Sequence, residues 1–410
     1  MHAAHDLPVL GDAAGTTGAG ARYLTIRNFG PLQNVTVRLE NPLVIVAEDG
    51  VPVTLLLRAI RCLVDPSARP RPEDFRDPAR PIEMGLSDGS GARLAGLRAT
   101  RIAEAVSLHR THPGMDGPVV FLGAARREGL RFADVSRRLR LNTGQFPAPD
   151  QHHSGSLRLL ELCEACLACD VSSAWILIES PELFLGPHAQ RALASLLRAL
   201  ASCGNQVVYT THSPNLVDGR HTDGIVRLAR DQRGGLAAIQ GPHIPLSGVP
   251  DLVRRLASFD RERNGMFFAR RALVVEGASE RLSLPFAFRL LGHEPDAEGV
   301  AIVDAGGKGN LPFIARTIRA LSIPTVVLHD RDAPADGQES VEDLLLNRAI
   351  AMAAGQRNVV QLTPDFEGVS RLRARARHKP SQAWLRYAEM VEAAELPAPI
   401  VEAIGRLMGR

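Results

Sequence analysis

The run Ala272-Leu273-Val274-Val275-Glu276-Gly277-Ala278-Ser279-Glu280 carries the strongest structural signal in the chain. Its unbroken apolar residues predict a short strand covered on both faces, as in a parallel sheet. An acid placed directly after such a strand projects from the carboxyl edge of the sheet, where open α/β sheets hold their sites. Gly277 allows an immediate turn, and Glu280 falls one helical turn later, able to point back at Glu276. The pattern recurs downstream. Val300–Val303 leads into Asp304-Ala305-Gly306-Gly307-Lys308-Gly309-Asn310, and Thr325–Leu328 leads into His329-Asp330-Arg331-Asp332. Val359–Leu362 is a further candidate strand, and helices are expected over 279–291, 311–321 and 341–354. Alternation at a strand end would put Asp330 and Asp332 on one side. With Glu276 they make three hard carboxylates suited to Mg²⁺ or Mn²⁺. A lone D-x-D is usually a solvated turn; three such motifs in order, each closing a strand, form a specific pattern.

Upstream, Tyr23–Val46 alternates apolar and polar residues in strand-like runs, broken by Asn28, Gly30, Pro31 and Asn41-Pro42. A helix is expected from Thr54 to Leu63, and Asp65–Arg93, rich in Pro, Arg, Asp and Gly, reads as loops or an irregular lobe. Pro118–Leu122 is a short buried-strand candidate. Next come a helix around Cys163, a strand Trp175–Ile178, a helix His188–Ser202 and a strand Gln206–Thr210, with Gly204 where a helix C-cap belongs. Strand, helix, strand is parallel-sheet grammar. Asp251–Arg263 reads as an interdomain helix. Cys163, Cys166 and Cys169 are spaced like cluster ligands, but they lie on the apolar face of a helix. Buried thiols are therefore the expectation, and no metal is expected there.

Ile26-Arg27-Asn28-Phe29-Gly30-Pro31-Leu32 resembles the strand that precedes the P-loop in the RecF/SMC/OLD branch of ABC ATPases. Over Tyr23 to Pro380 the chain resembles the OLD (overcoming lysogenization defect) nucleases, which carry an ABC-type ATPase domain followed by a Toprim domain. The implied fold class is α/β, a RecF-like P-loop ATPase fold followed by a Toprim domain with a mostly parallel sheet. Ala47–Ile60 lies over the family's P-loop, but Ala47 replaces the first Gly, Pro52 a later Gly and Val53 the Lys. Pro has no N–H to offer a phosphate and Val no charge. Thr54 alone keeps the hydroxyl of the Mg²⁺-binding position. His153–Leu157 falls where the signature loop belongs. Ile176–Pro187 resembles Walker B, with Glu179 as the metal-binding acid but Ser180 in place of the acid that activates water. Glu182 reads as a structural acid of the family, and Thr210-Thr211-His212-Ser213-Pro214 resembles the switch whose His212 would contact the γ-phosphate. Thr54, Glu179 and His212 therefore mark a degenerate ATP site, and ATP is not expected as a cofactor.

The same resemblance makes Glu276, Glu280, Asp330, Asp332 and Lys379 the catalytic set. It implies two Mg²⁺ or Mn²⁺ ions held by Glu276, Asp330 and Asp332 and by Glu280, Asp365 and Glu367, with Lys379 stabilising charge on the phosphate. Arg371, Arg373, Arg375 and Arg377 form a basic run beside these acids. Such runs are usually solvated faces, but here the run is a candidate for holding a DNA backbone.

The expected organisation is a flexible leader at 1–20, the ATPase-like domain at 21–248, a linker helix at 249–268 and the Toprim domain with a helical extension at 269–410. A net charge of +3 permits a nucleic-acid partner without requiring one. No segment reaches the ~18 consecutive apolar residues of a spanning helix. Five cysteines, an odd number, suggest reduced thiols. A cytoplasmic, DNA-cutting, ATP-independent endonuclease in phage defence or repair is the leading expectation, homodimeric through its front domain and without a membrane partner. The alternatives are a non-catalytic DNA-binding scaffold and a nucleotidyl-transfer Toprim enzyme. Strand passage would need a nucleophilic tyrosine, for which only Tyr387 could serve.

Overall fold

The computed structural model describes residues 21–103, 105–111, 117–123, 163, 166, 171–231, 234–243, 260–332, 340–372 and 378–409. In the front half, β1 (Arg22–Phe29), β2 (Leu32–Arg38), β3 (Leu43–Ala47), β4 (Ile82–Asp88), β5 (Arg93–Ile102), β6 (Ala105–Thr111), β7 (Val119–Leu122), β8 (Trp175–Glu179), β9 (Gln206–Thr210), β10 (Ile225–Arg230) and β11 (Leu236–Gln240) make one sheet. Its order is β6-β5-β4-β1-β2-β11-β10-β3-β9-β8-β7. The β6-to-β2 end is antiparallel, whereas β10, β3, β9, β8 and β7 run parallel. β3 is buried at every position, as a central parallel strand should be. Its alternation sends Val44 and Val46 into one core and Leu43, Ile45 and Ala47 into the other. Helix α1 (Thr54–Val64) packs in the second core and helix α2 (Pro187–Ser202) in the first, and Gly204 takes φ +83° just past α2.

The stretch Asp65–Arg93 is not all irregular, and this corrects the expectation. Ile82, Met84 and Leu86 are buried at period two and form β4, which pairs with β1 and β5. Proline and arginine around them masked a three-residue pattern. The remaining lobe is pinned by Asn28 at φ +59°, whose side chain donates to the carbonyls of Asp77 (2.9 Å) and Arg80 (2.8 Å) and accepts from the Asp77 amide. β5, β6, β10 and β11 were not anticipated either. Cys163 and Cys166 are helical and buried; Cys169 and the signature stretch His153–Leu157 lie outside the described residues, as does most of the expected interdomain helix. Its described end instead forms a 3₁₀ turn, Arg263–Phe268.

The back sheet has the order β13-β12-β14-β15, from β12 (Arg271–Val275), β13 (Val300–Asp304), β14 (Thr325–Asp330) and β15 (Val359–Leu362), all parallel. Helices α3 (Ala278–Leu290), α4 (Leu311–Ala320), α5 (Val341–Ala354), α6 (Lys379–Ala388) and α7 (Ala398–Met408) accompany it. β12 alternates as β3 does. Leu273 and Val275 pack with α3, α6 and α7, while Ala272 and Val274 join α4 and α5 in the same core as α2 of the front half. The two sheets therefore share a hydrophobic core.

Arg227 on β10 closes this joint. It is 1% exposed; its guanidinium pairs with Glu48 at 2.8 Å and donates to the carbonyl of Ala269 at 3.0 Å, just before β12. Arg270 donates to the carbonyl of Asp49 (3.1 Å), and Asn264 to that of Val217 (2.8 Å). A buried ion pair of this kind is costly to break because the remaining charge keeps its desolvation penalty. Arg227→Met should destabilise the protein by about 3 kcal/mol. Denaturant unfolding followed by separate probes on the two sheets should resolve two transitions where the native protein shows one. Unchanged stability and a single transition would remove Arg227 as the joint.

Candidate functional site

The parallel register aligns the carboxyl ends of β12 and β14, so Glu276 and Asp330 arrive side by side. The Glu276 carboxylate accepts from the Asp330 amide at 2.7 Å, and the Asp330 carboxylate accepts from the Phe366 amide at 2.8 Å. Glu280, in the first turn of α3, is 4% exposed. Glu367 follows Phe366 on the turn Phe366–Val369, whose N-cap is Asp365 with its carboxylate on the Gly368 amide (2.6 Å). Lys379, the first residue of α6, reaches Glu367 at 3.0 Å.

Burial and crowding shift these acids. Burial pushes Glu280 up to about 8, reinforced by Asp330, Glu276 and Glu367. Asp330 is pushed up to about 7, first by burial and then by Glu276. Burial also raises Glu276, against the Asp330 amide and Lys308, which favour its charge. The hydrogen bond to Glu367 raises Lys379. The structure thus brings Glu276, Glu280, Asp330 and Glu367 into electrostatic contact at one sheet edge, with Asp332 and Asp365 at its margin. Among the described residues, no three of these groups converge closely enough to hold an ion as they stand. The donor chemistry fits a hard divalent cation.

Asp332 reaches the site differently from the expectation. β14 ends at Asp330, and Asp332 lies beyond it at φ +56°, so strand alternation does not orient it. Its carboxylate accepts from Lys308 Nζ at 2.8 Å. Gly277 is extended, at φ −157°, so the turn does not depend on glycine there. Asp304, at the end of β13, faces Arg263 (3.7 Å) and Arg281 (3.8 Å) and stands apart from the acidic set. A groove of about 460 Å³ follows β13, lined among others by Met266, Pro285 and Ile302; Glu276 and Asp330 are not in its wall. Arg371 is exposed at φ +56°, and Arg373, Arg375 and Arg377 lie outside the described residues.

Three features escaped the sequence reading. Lys308 was visible only as part of a glycine-rich turn. His329 is fully buried beside Asp330, with its Nδ1 against the Asp330 carbonyl (2.8 Å), and burial lowers it to about 4. The Phe366 amide, which orients Asp330, has no sequence signature. Tyr387 is 1% exposed and shares a hydrogen bond with Ser370 (2.9 Å), and burial pushes it up to about 12, so it is no accessible nucleophile.

In the front half, Val51 and Val53 are buried in the core beside α1, and Pro52 is exposed. Thr54 opens α1. Ser180 is held at φ +44°, its amide on Thr210 Oγ1 at 3.0 Å. Glu182 accepts from Thr211 Oγ1 (2.9 Å) and the His212 amide (2.8 Å), the structural part expected of it, while the His212 side chain is exposed. Glu179 is half-buried at the end of β8.

A parallel-sheet edge of acids behind an ABC-type head defines a Toprim protein with an ATPase-like front. Residues 267–332 match the family model described as "Overcoming lysogenization defect protein-like, TOPRIM domain". Residues 72–218 match the family model described as "AAA domain, putative AbiEii toxin, Type IV TA system". Over 240 residues the chain is 33% identical to an OLD nuclease of Thermus scotoductus, covering 55% of this chain and 45% of that protein. It is 29% identical over 167 residues to the Old nuclease of Escherichia phage P2, covering 39% of this chain and 28% of that protein. A solved C-terminal region of the Burkholderia pseudomallei OLD protein is 20% identical, covering 35% of this chain and 98% of that one, at a TM-score of 0.29. The chain carries an OLD-like Toprim domain behind an ATPase-like domain, and it spans less than half the length of these curated relatives. No helix among the described residues is long and apolar enough to cross a membrane.

Glu280 gives this site a pH signature. Its carboxyl titrates near 4.5 in the ordinary state and about 8 in the fold. Stability is therefore full below the lower value and is lost as pH rises toward the higher one, where only the folded chain resists the charge. In EDTA, Glu280→Gln should be more stable than the native protein above pH ~8 by about 1–3 kcal/mol and no more stable near pH ~4.5. Parallel melting profiles for the two proteins would contradict the buried, protonated state.

Proposed function

We propose that this chain is a divalent-metal-dependent phosphodiesterase that cuts DNA and needs no ATP. The observation that carries the proposal is the crowding of Glu276, Glu280, Asp330 and Glu367 at one sheet edge, where burial and neighbouring acids raise Glu280 and Asp330 and an entering cation would favour their ionised forms. When bound, Mg²⁺ or Mn²⁺ would supply an activated water and charge neutralisation at the phosphate. Glu276, Asp330 and Asp332 would hold one ion and Glu280, Asp365 and Glu367 a second. Lys379 would face the phosphate, and Arg371, Arg373, Arg375 and Arg377 would hold the DNA backbone. Domain limits at 21–248 and 269–410, pairing through the front half, a cytoplasmic setting and a role in phage defence or repair complete this reading. Support comes from the OLD-like Toprim match and the two OLD nuclease relatives.

Purified protein should nick supercoiled plasmid with Mn²⁺ or Mg²⁺ and not with EDTA. Glu276→Ala and the Asp330→Ala/Asp332→Ala double variant should lower the rate by about two orders of magnitude or more. Cutting that survives in the double variant would place the activity elsewhere. Folded, DNA-binding protein without cutting in either metal would favour the scaffold, and label incorporated from a nucleoside triphosphate would favour nucleotidyl transfer.

ATP independence rests on Pro52, Val53 and Ser180 standing where the phosphate-binding and water-activating groups belong. Calorimetric titration with Mg²⁺ and ATP at tens of micromolar protein should give no isotherm, and ATP should not change the nicking rate. A Mg²⁺-dependent isotherm abolished by Thr54→Ala would overturn this part of the proposal.

A further inference from the structure

Lys and Arg together number 48 in this chain, yet only two of them are lysines, Lys308 and Lys379. Both stand on the acidic edge, Lys379 on Glu367 and Lys308 on Asp332. Elsewhere the chain uses the planar guanidinium, a fork suited to fixed bidentate pairing. At the carboxylate cluster it uses the compact, rotatable ammonium.

The seat of Lys308 is built. Gly306 at φ +68° and Gly307 at φ +122° turn the chain out of β13, a conformation that glycine supplies without strain. The turn is anchored on the site itself, because the Gly307 amide donates to the carbonyl of Glu276 at 2.8 Å. Asn310 caps it through the carbonyl of Ala305 at 2.9 Å. The Lys308 side chain ends 9% exposed, with Nζ 2.8 Å from Asp332 and 3.5 Å from the Arg331 carbonyl. Asp332 meets it from its own left-handed position. The charge of Lys308 also favours ionised Glu276 and opposes protonation of His329.

We propose that Lys308 is the internal counter-ion of the acidic site, a positioning residue that competes for Asp332 with a divalent cation and so sets the affinity of the site for it. This rests on the metal-site reading above. An ammonium within ion-pair distance of one ligand and facing a second opposes an arriving divalent charge; Lys308 itself is nearly buried, while Asp332 keeps 47% of its side chain open to a cation from solution. Without Lys308 the carboxylates are released from that competition and attract a free cation more strongly.

Mn²⁺ binding to the full chain, followed at pH 8 by the electron spin resonance of free Mn²⁺, tests the proposal without any cutting assay. Lys308→Gln should bind Mn²⁺ about tenfold more tightly than the native protein, and Lys308→Arg, which keeps the charge, should stay near native affinity. Asp332→Asn should bind more weakly, and adding Lys308→Gln to it should recover much less than tenfold, since the two residues act through one contact. Equal or weaker binding in Lys308→Gln, or an equal gain with and without Asp332, would overturn the inference. Native protein that binds Mn²⁺ and loses it in Asp330→Asn, with Lys308→Gln unchanged, would sink the inference alone. Absence of Mn²⁺ binding in the native protein and in Lys308→Gln would sink both this inference and the metal-site reading.

Discussion

Like charges gathered at a half-dry sheet edge repel, and much of the back half is arranged around that repulsion. The parallel register of β12 and β14 delivers Glu276 and Asp330 together because their strands end together. Each then has one oxygen on a main-chain amide, from Asp330 and Phe366 respectively. Amide donation favours the charged form at no cost in net charge. It also fixes where each carboxylate points while leaving its second oxygen for another partner. Glu280 has no such relief from a neighbouring strand, and burial pushes it up to about 8. Burial thus holds back all three carboxylates, and the two amides offset part of that for Glu276 and Asp330.

The front half meets a different constraint. A phosphate grip needs amides, a lysine and space at the start of α1, and this chain puts two buried valines there instead. The loop before α1 has another attachment. Glu48 pairs with buried Arg227, the Asp49 carbonyl accepts from Arg270, and the Gly50 carbonyl accepts from Arg230. Arg227 and Arg270 also tie this loop to the entry of β12. Asn264 does the same for the segment after His212 through Val217. The polypeptide that would read a nucleotide is therefore built into the joint between the sheets.

Much of this was legible from strand ends. β12, β13 and β14 are built on continuous apolar runs closed by acids, glycine or turn residues, so their place and their sites followed from one rule. The Ile26–Leu32 motif likewise marked the strand ahead of the P-loop position, where β1 lies. Legibility failed where partners are distant in sequence or belong to the main chain. β10 and β11 are short, and β10 contains an arginine whose burial depends on Glu48 and Ala269. β4 is hidden by the prolines before it. Asp332 looked like the second member of a strand-end pair because a dihedral reversal leaves no mark in composition. The role of Asn28 in pinning the lobe was likewise invisible, although the residue itself was part of the motif.

The same logic accounts for how the cations divide. Arg227, Arg263, Arg281 and Arg270 bind carbonyls or carboxylates whose positions are fixed by packing, where a rigid fork gains from holding one geometry. Asp304, although it ends a strand as Asp330 does, is drawn into that arginine network and leaves the acidic set. Among the described residues, the remaining carboxylates are answered by amides and by the two ammonium groups. Amides cannot neutralise a charge, and an ammonium on a flexible stem can leave it. A sheet edge built in this way retains acids whose charge is only partly answered from within the chain, which is the condition for a cation from solution to compete for them.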